Sequence, residues 1–433
     1  MSAFTALVRS NRNYRFTWAG QVVSEVGDHF NNIAVMSLAM QHANPGLVVT
    51  GVFLARAVPM LAAGPIAGVL LDRVDRKRVM ISSDVTRAVI ALAFILCIRQ
   101  RGPILLYLLS AALMFASPFF TAGRNSILPG IATPEELHTA NTMTQTTSWA
   151  SLTAGAFLGA VGEQYGFKVA FGFNALSFVI SALCISRLKR PGGFNPATYM
   201  RLPAASRQTD LAQYRDGIRY MRSTPLVFGI AMLSVGWATG GGAAQILFSL
   251  FGEKVFNAGP MGIGVIWGFA GIGLLIGGSI AYWLGKRVSF VQYKRTIAIA
   301  YVIHGGAYIV FSQMPTIAWA CVFILISRAA IAVSSVLNFS QLLRHVEDRF
   351  RGRVFATLES LQWSTMMISM MAAGAASTVY SPRLIGAWAG AVTSLTAIFW
   401  TWANWTGRLP EPQLQPVLPI EEKEIHAEPQ VIS

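Results

Sequence analysis

The sequence predicts an all-α integral membrane protein, with twelve transmembrane helices in two six-helix bundles and both termini in the cytoplasm. Three observations lead there. The 433 residues are 54% hydrophobic and only 12% charged, whereas soluble domains carry about 25% charge. Apolar stretches of about 20 residues, the length that crosses the hydrocarbon core, recur near 16–40, 47–71, 79–98, 103–123, 142–163, 166–187, 225–251, 260–284, 295–312, 315–340, 354–379 and 382–405. The net charge of +15 is also unevenly placed. With the N-terminus in the cytoplasm, most Lys and Arg fall in cytoplasmic segments, and Arg56, Arg87 and Arg328 sit within spans. That asymmetry is the positive-inside pattern, so topology accounts for the charge. The expected surface partner is the lipid bilayer, not nucleic acid.

The first span, Phe16 to Met40, is the most unusual. It carries Gln21, Ser24, Glu25, Asp28, Asn31 and Asn32, which fall within roughly a 120° arc at 100° per residue. Val22, Val23, Val26, Ile33, Val35 and Met36 occupy the other face. Carboxylates at membrane depth must meet water, a partner charge or a substrate. The stripe is therefore expected to line a central cavity. Nothing in the N-terminal segment has the form of a cleavable signal, so this span is expected to stay in the mature chain. In span 2, Arg56 falls at a depth close to Asp28 if each residue rises about 1.5 Å, which predicts an Asp28–Arg56 or Glu25–Arg56 pair.

Span 2 ends in Gly64-Pro65-Ile66-Ala67-Gly68-Val69-Leu70-Leu71-Asp72-Arg73-Val74-Asp75-Arg76-Lys77-Arg78. Span 3 starts at once, so the charges must occupy a tight turn. The run resembles the signature loop of the major facilitator superfamily, Gly-x-Leu-x-Asp-Arg-x-Gly-Arg-Lys/Arg, with Asp75 in place of its second glycine. Asn13-Tyr14-Arg15-Phe16-x-Trp18-x-Gly20-Gln21-x-x-Ser24-x-x-Gly27-Asp28 is similar to the opening of the drug-efflux branch that holds macrolide-efflux and enterobactin-exporter-like proteins. Leu128-Pro129-x-x-x-Pro134-Glu135-Glu136-Leu137-x-x-Ala140-Asn141 and Gly352-Arg353-Val354-Phe355-Ala356 extend the likeness to residues 10–405.

The resemblance implies a cytoplasmic gate. Asp72 is expected beside the start of span 11, where a helix N-terminus favours a carboxylate. Gly68, Arg73 and Arg76 belong to the same loop, and Asp84 with Arg87 could extend its charge network. Such contacts would form only in the outward-open state. Span 5 carries Gly155-x-x-x-Gly159, close to an antiporter element, but Ala156 stands where that element has proline. Span 4 has no mid-membrane Arg, its one Arg being Arg124 at the inner end. Close helix packing is therefore the expected role of Gly155 and Gly159.

Residues 1–187 are assigned to an N-terminal bundle, 188–224 to a cytoplasmic linker, 225–405 to a C-terminal bundle and 406–433 to a disordered Pro- and Glu-rich tail. Within the linker, Leu211, Tyr214, Ile218 and Met221 share a helix face that is expected to rest on an anionic leaflet. Arg328 in span 10 lacks an obvious carboxylate at its depth and is a second cavity candidate. Cys97, Cys184 and Cys321 have no disulfide or metal spacing, and no cofactor, metal or catalytic residue is expected. A phosphate loop, His-Glu-x-x-His, paired cysteines and Gly-x-Ser-x-Gly are all missing from the sequence, which disfavours an enzyme or an ATP-driven pump.

The expected function is secondary export of an amphipathic organic compound by alternating access. Asp28, Glu25, Arg56, Gln21, Asn32 and Arg328 are the expected substrate and proton-coupling residues, in a monomer of the bacterial inner membrane. Siderophore or lysophospholipid transport, or uptake of a small solute, are the alternatives. A membrane receptor or sensor is the rival from another class.

Overall fold

The computed structural model describes residues 3–100, 102–162, 165–189 and 210–412. Those residues form fourteen α-helices and no strand. A short α1 (Ala3–Ser10) precedes six long helices: α2 (Arg12–Met40), α3 (Pro45–Arg73), α4 (Arg76–Ala93), α5 (Ile104–Ile131), α6 (Pro134–Gly162) and α7 (Phe167–Ser186). After α8 (Asp210–Ser223) come six more: α9 (Pro225–Leu250), α10 (Gly259–Gly285), α11 (Phe290–Gln313), α12 (Ile317–His345), α13 (Asp348–Ala376) and α14 (Pro382–Trp405). Among the described residues nine helices are long and apolar enough to cross a membrane. The other long helices, α2, α6 and α13, are as long but interrupt their apolar residues with polar ones.

Local chemistry sets the helix starts. Asn11 caps α2 by accepting from Tyr14 N–H at 2.9 Å, satisfying one of the N–H groups a first turn leaves free. Ser289 opens α11 through a capping box with Gln292, and Ser381 caps α14 ahead of Pro382. Asp75, which departs from the signature pattern, caps α4 by accepting from Arg78 N–H at 3.0 Å. Several helices extend past the apolar stretches that predicted them. Span 4 continues to Ile131, span 5 begins at Pro134, and span 11 at Asp348. The added turns carry polar residues such as Ser126 and Glu136.

The helices α2–α7 pack mostly among themselves, as do α9–α14, except that α6 makes its most extensive contact with α10 across the two groups. In the first group α2 lies against α6 and α7, α3 against α5, and α4 against α5 and α7. In the second, α10 packs on α12, α11 on α12 and α14, and α9 on α13 and α14. Large apolar side chains such as Val89, Leu96, Leu183, Trp319 and Leu395 point outward and are exposed, as a lipid-facing surface requires.

The end at which α2 begins is called proximal here, and the end of the α2–α3 turn distal. The two groups meet at the distal end. One buried cluster there contains Val49 and Val52 of α3, Ala156 of α6, Ile263 and Ile266 of α10, and Met370 and Ala373 of α13. Contact is close: a Cβ added at Gly264 would lie 2.5 Å from the Ala156 carbonyl, and one at Gly374 would overlap the Thr50 hydroxyl. The proximal half of α3 has no such cover. Among the described residues there, only Ala63, Ala67 and Leu71, the stripe four residues apart, are buried. Among the described residues nothing lies within 4 Å of the Cβ positions of Gly64, Gly68 or, on α13, Gly352. The molecule is thus closed distally and open between its halves proximally.

The linker helix takes a position that its lipid-facing pattern did not predict. Ile218 and Met221 pack against the core of the second group, and Tyr220 stacks on Phe350 of α13 with ring centroids 4.5 Å apart. Arg353 pairs with Asp216 at 3.3 Å. Gly217 permits this, since a Cβ there would come within 2.4 Å of Thr357 Oγ1. The apolar face therefore meets protein, while Arg215, Arg219 and Arg222 stay exposed. The side chains of Leu211 and Tyr214 lie outside the described residues. Most of the predicted tail, 413–433, does too. Its first residues are docked: Leu409 is buried and its carbonyl accepts from Lys294 Nζ at 2.9 Å.

Candidate functional site

The polar stripe of α2 meets four helices, α3, α4, α5 and α6. Glu25 Oε1 accepts from Gln21 Nε2 at 2.9 Å and from Ser148 Oγ of α6 at 3.2 Å, and it faces Arg124 Nη1 of α5 at 3.5 Å. One turn on, Asp28 Oδ2 lies 3.8 Å from Arg87 Nη1 of α4. Arg87 also bonds Asp84 on its own helix, and its guanidinium sits between the rings of Phe120 and Phe178, with centroids at 4.7 and 4.4 Å. Arg56 Nη1 of α3 donates to Asn32 Oδ1 at 2.5 Å. Three carboxylates and three guanidiniums thus interdigitate around α2.

Exposure within this network is graded. The side chains of Asp84 and Arg87 are 0% and 4% exposed, while those of Glu25 and Asp28 are 23% and 26% exposed. The α2 carboxylates form the open edge, and the guanidiniums of Arg87 and Arg124 lie behind them. Each α2 carboxylate keeps one oxygen, Glu25 Oε2 or Asp28 Oδ1, buried and without a hydrogen-bond partner. A buried carboxylate oxygen without a partner is costly, so proton, cargo or rearrangement could each complete it.

The geometry redistributes the predicted roles. Arg56 makes no ion pair within 4 Å of Glu25 or Asp28; its nearest bonded partner is Asn32. Arg87 approaches from α4 and is the guanidinium that pairs with Asp28. Asp84 and Arg87, which the resemblance groups with the gate loop, lie two to three helical turns inward from the start of α4, where Arg87 pairs with both Asp84 and Asp28. Gln21 is 2% exposed and is bound to Glu25 and the Thr144 carbonyl, at 3.4 Å, rather than lining open space. Arg124 and Ser148 were missed. The one available signal for Arg124 was a guanidinium closing an otherwise apolar helix.

At the gate loop, Arg76 Nη1 donates to the Ser126 carbonyl at 2.8 Å and Lys77 Nζ to the Ser186 and Leu188 carbonyls at 2.7 and 2.9 Å. Arg73 is exposed. Gly68, a close-approach glycine by its motif, faces empty space with the halves apart. The Asp72 side chain lies outside the described residues. A Cβ at Gly155 would sit 2.6 Å from the Val26 carbonyl, and one at Gly159 would sit 2.9 Å from Ile33 Cβ, so both glycines lie at the α2–α6 contact. Arg328 lies in the second group, and no hydrogen bond or ion pair joins it to the α2 network among the described residues.

A profile described as Major Facilitator Superfamily matches residues 17–363. The chain belongs to that superfamily. It is a membrane transporter of this family, and not an enzyme. BacE of Bacillus subtilis, named as a bacilysin exporter, is 22% identical over 350 residues, covering 80% of this chain and 84% of that protein. Macrolide efflux protein A of Streptococcus pyogenes is 20% identical over 365 residues, covering 82% and 86%. Among solved structures, an auto-inhibited peptide transporter of the POT family superposes with a TM-score of 0.69 at 10% identity, covering 94% of this chain and 99% of that one. A bacterial homologue of the iron transporter ferroportin, in an inward-facing state, gives a TM-score of 0.65 at 15% identity, covering 90% and 98%. These likenesses establish the fold.

Proposed function

We propose that this transporter exports an amphipathic organic compound by alternating access, coupled to protons through Glu25 and Asp28. The observation that carries the reading is the placement of those two carboxylates. Each sits at the open edge of the network, opposed by a guanidinium from another helix of the same group. With all six groups ionised, the three carboxylates balance the three guanidiniums in formal charge. A proton arriving on Asp28 weakens its hold on Arg87, and one on Glu25 frees Arg124 and Ser148. The α4–α2 or α5–α2 contact can then shift, and loss of the proton restores it. Export is favoured by the relatives named for bacilysin export and macrolide efflux.

In this reading all twelve long helices cross a bacterial plasma membrane, both termini are cytoplasmic, and residues 1–187 and 225–405 form bundles joined by the 188–224 linker. The proximal end is then cytoplasmic, and the open gap is the inward-facing entry for cargo. Asp72 and its loop would close on the start of α13 when the halves come together there. A monomer suffices, because both halves lie in one chain.

The test is transport by the purified protein in liposomes under an imposed pH gradient, with a labelled macrolide and a labelled dipeptide as probes. Gradient-driven movement of at least one is expected, and Asp28→Asn should abolish the gradient dependence while the protein still purifies folded. Equal transport by wild type and Asp28→Asn, or transport indifferent to the gradient, would reject proton coupling.

A further inference from the structure

Arg328 presents the opposite arrangement to the α2 network. Arg56, Arg87 and Arg124 each have an acceptor on the oxygen of a neighbouring side chain. Arg328, near the middle of α12, is 8% exposed, and among the described residues no carboxylate lies within 4 Å and none of its nitrogens makes a hydrogen bond. Its one close companion is the Phe248 ring, with the centroid 5.0 Å from the guanidinium carbon. Beside it, Tyr308 of α11 is 3% exposed and its hydroxyl has no partner either.

These groups share a small cavity whose walls include Gly240 and Gly241 of α9, His304 and Tyr308 of α11, Arg328 of α12 and Gly390 of α14. The glycines leave the space clear of side chains. His304 is already engaged, its Nδ1 lying 3.0 Å from the Ser327 carbonyl and 2.8 Å from the Ser327 hydroxyl. Thr393 bonds its own helix at the Ala389 carbonyl, 2.9 Å away. Among the described residues, the donors here without a hydrogen-bond partner are therefore Arg328 and the Tyr308 hydroxyl.

A buried cation without a counter-charge is costly in a bilayer interior, and a guanidinium–oxyanion pair is the strongest hydrogen-bonded complement available. We infer that this cavity is an anion site, binding one small, singly charged ion of halide size between Arg328 and Tyr308. One guanidinium and one hydroxyl match a monoanion, and the cavity, about 10 Å³ and so wide enough for one water-sized sphere, excludes anything larger. The anion is therefore a free ion such as chloride, and the site does not rest on the transport reading.

The test is thermal unfolding of the purified full-length chain in detergent, at constant ionic strength, as potassium gluconate is replaced by acetate, benzoate or chloride. A saturable rise in unfolding temperature is expected with chloride and none with benzoate. Arg328→Lys should weaken the apparent affinity for chloride by about tenfold or more, the scale of a lost hydrogen bond to a charged group, and Tyr308→Phe should weaken it less. A rise with benzoate as large as that with chloride would overturn the size argument. No saturable rise in wild type, or the same affinity in wild type and both variants, would overturn the site. Because the readout is binding, such a failure would leave the proton-coupling test in liposomes untouched.

Discussion

Asp84 and Asp28 flank the same guanidinium, yet their surroundings differ. Asp84 is fully enclosed and bonded to Arg87, whereas Asp28 is about a quarter exposed and 3.8 Å away. Asp84 therefore reads as the fixed counter-charge that lets Arg87 stand among Phe120 and Phe178, and Asp28 as the exchangeable one. Removing one partner of a buried pair typically costs about 3–5 kcal/mol. Asp84→Ala should approach the lower end of that range, because Asp28 still offers partial compensation. Thermal unfolding in detergent would check it, with Asp28→Asn expected to shift stability much less. Equal losses for the two variants would contradict this division of labour.

At the scale of helices, the packing of α2 on α7 depends on one missing side chain. A Cβ at Gly27 would stand 2.0 Å from Ser177 Oγ and 2.8 Å from Asn174 Oδ1, both short side chains on a buried helix face. Gly27→Ala should therefore force α2 away from α7 and displace the neighbouring Asp28 from Arg87, at about 1–3 kcal/mol for an overpacked contact. Gly172→Ala on α7 meets nothing within 4 Å and should be close to neutral. The contrast is measured by unfolding temperature and by transport. The motif in which Gly27 precedes Asp28 thus has a mechanical reason: the glycine sets the depth at which the carboxylate enters the network. On the other side of the molecule, α8 grips the proximal end of α13 through Asp216, Gly217 and Tyr220. Any movement of that end must carry α8 along or release it.

For the whole molecule, closure at one end and a gap at the other is one of the two states that alternating access requires. Gly46 and Ser377 nearly touch at the distal end, where a Cβ on Gly46 would lie 2.9 Å from Ser377 Cβ. Gly46→Cys combined with Ser377→Cys should cross-link readily in the cargo-free protein and block transport until reduced. Gly68→Cys with Gly352→Cys should cross-link only when the proximal end closes. Mass shift on gels after mild oxidation would show both. Rapid cross-linking of the proximal pair together with the distal pair, in one undisturbed population, would contradict a two-state exchange.

The sequence by itself determined the membrane class, the all-helical fold, the superfamily and the helix that bears Glu25 and Asp28. Those features are local or one-dimensional: apolar length, helical arc, motif order and the placement of basic residues. Asp75 and Gly27 could be singled out in the same way, though not explained. Tertiary structure alone decided who pairs with whom. Arg87 displaces Arg56 from Asp28, and Arg124 reaches Glu25 from a helix end that looked peripheral, because depth along one helix does not reveal which neighbour lies beside it. The same limit hid α8, whose apolar face is equally suited to lipid or protein until α13 is seen against it. Arg328 was visible as an unpaired cation from the sequence. That its neighbour Tyr308 is unpartnered too, across a glycine-walled space, is a fact of three dimensions.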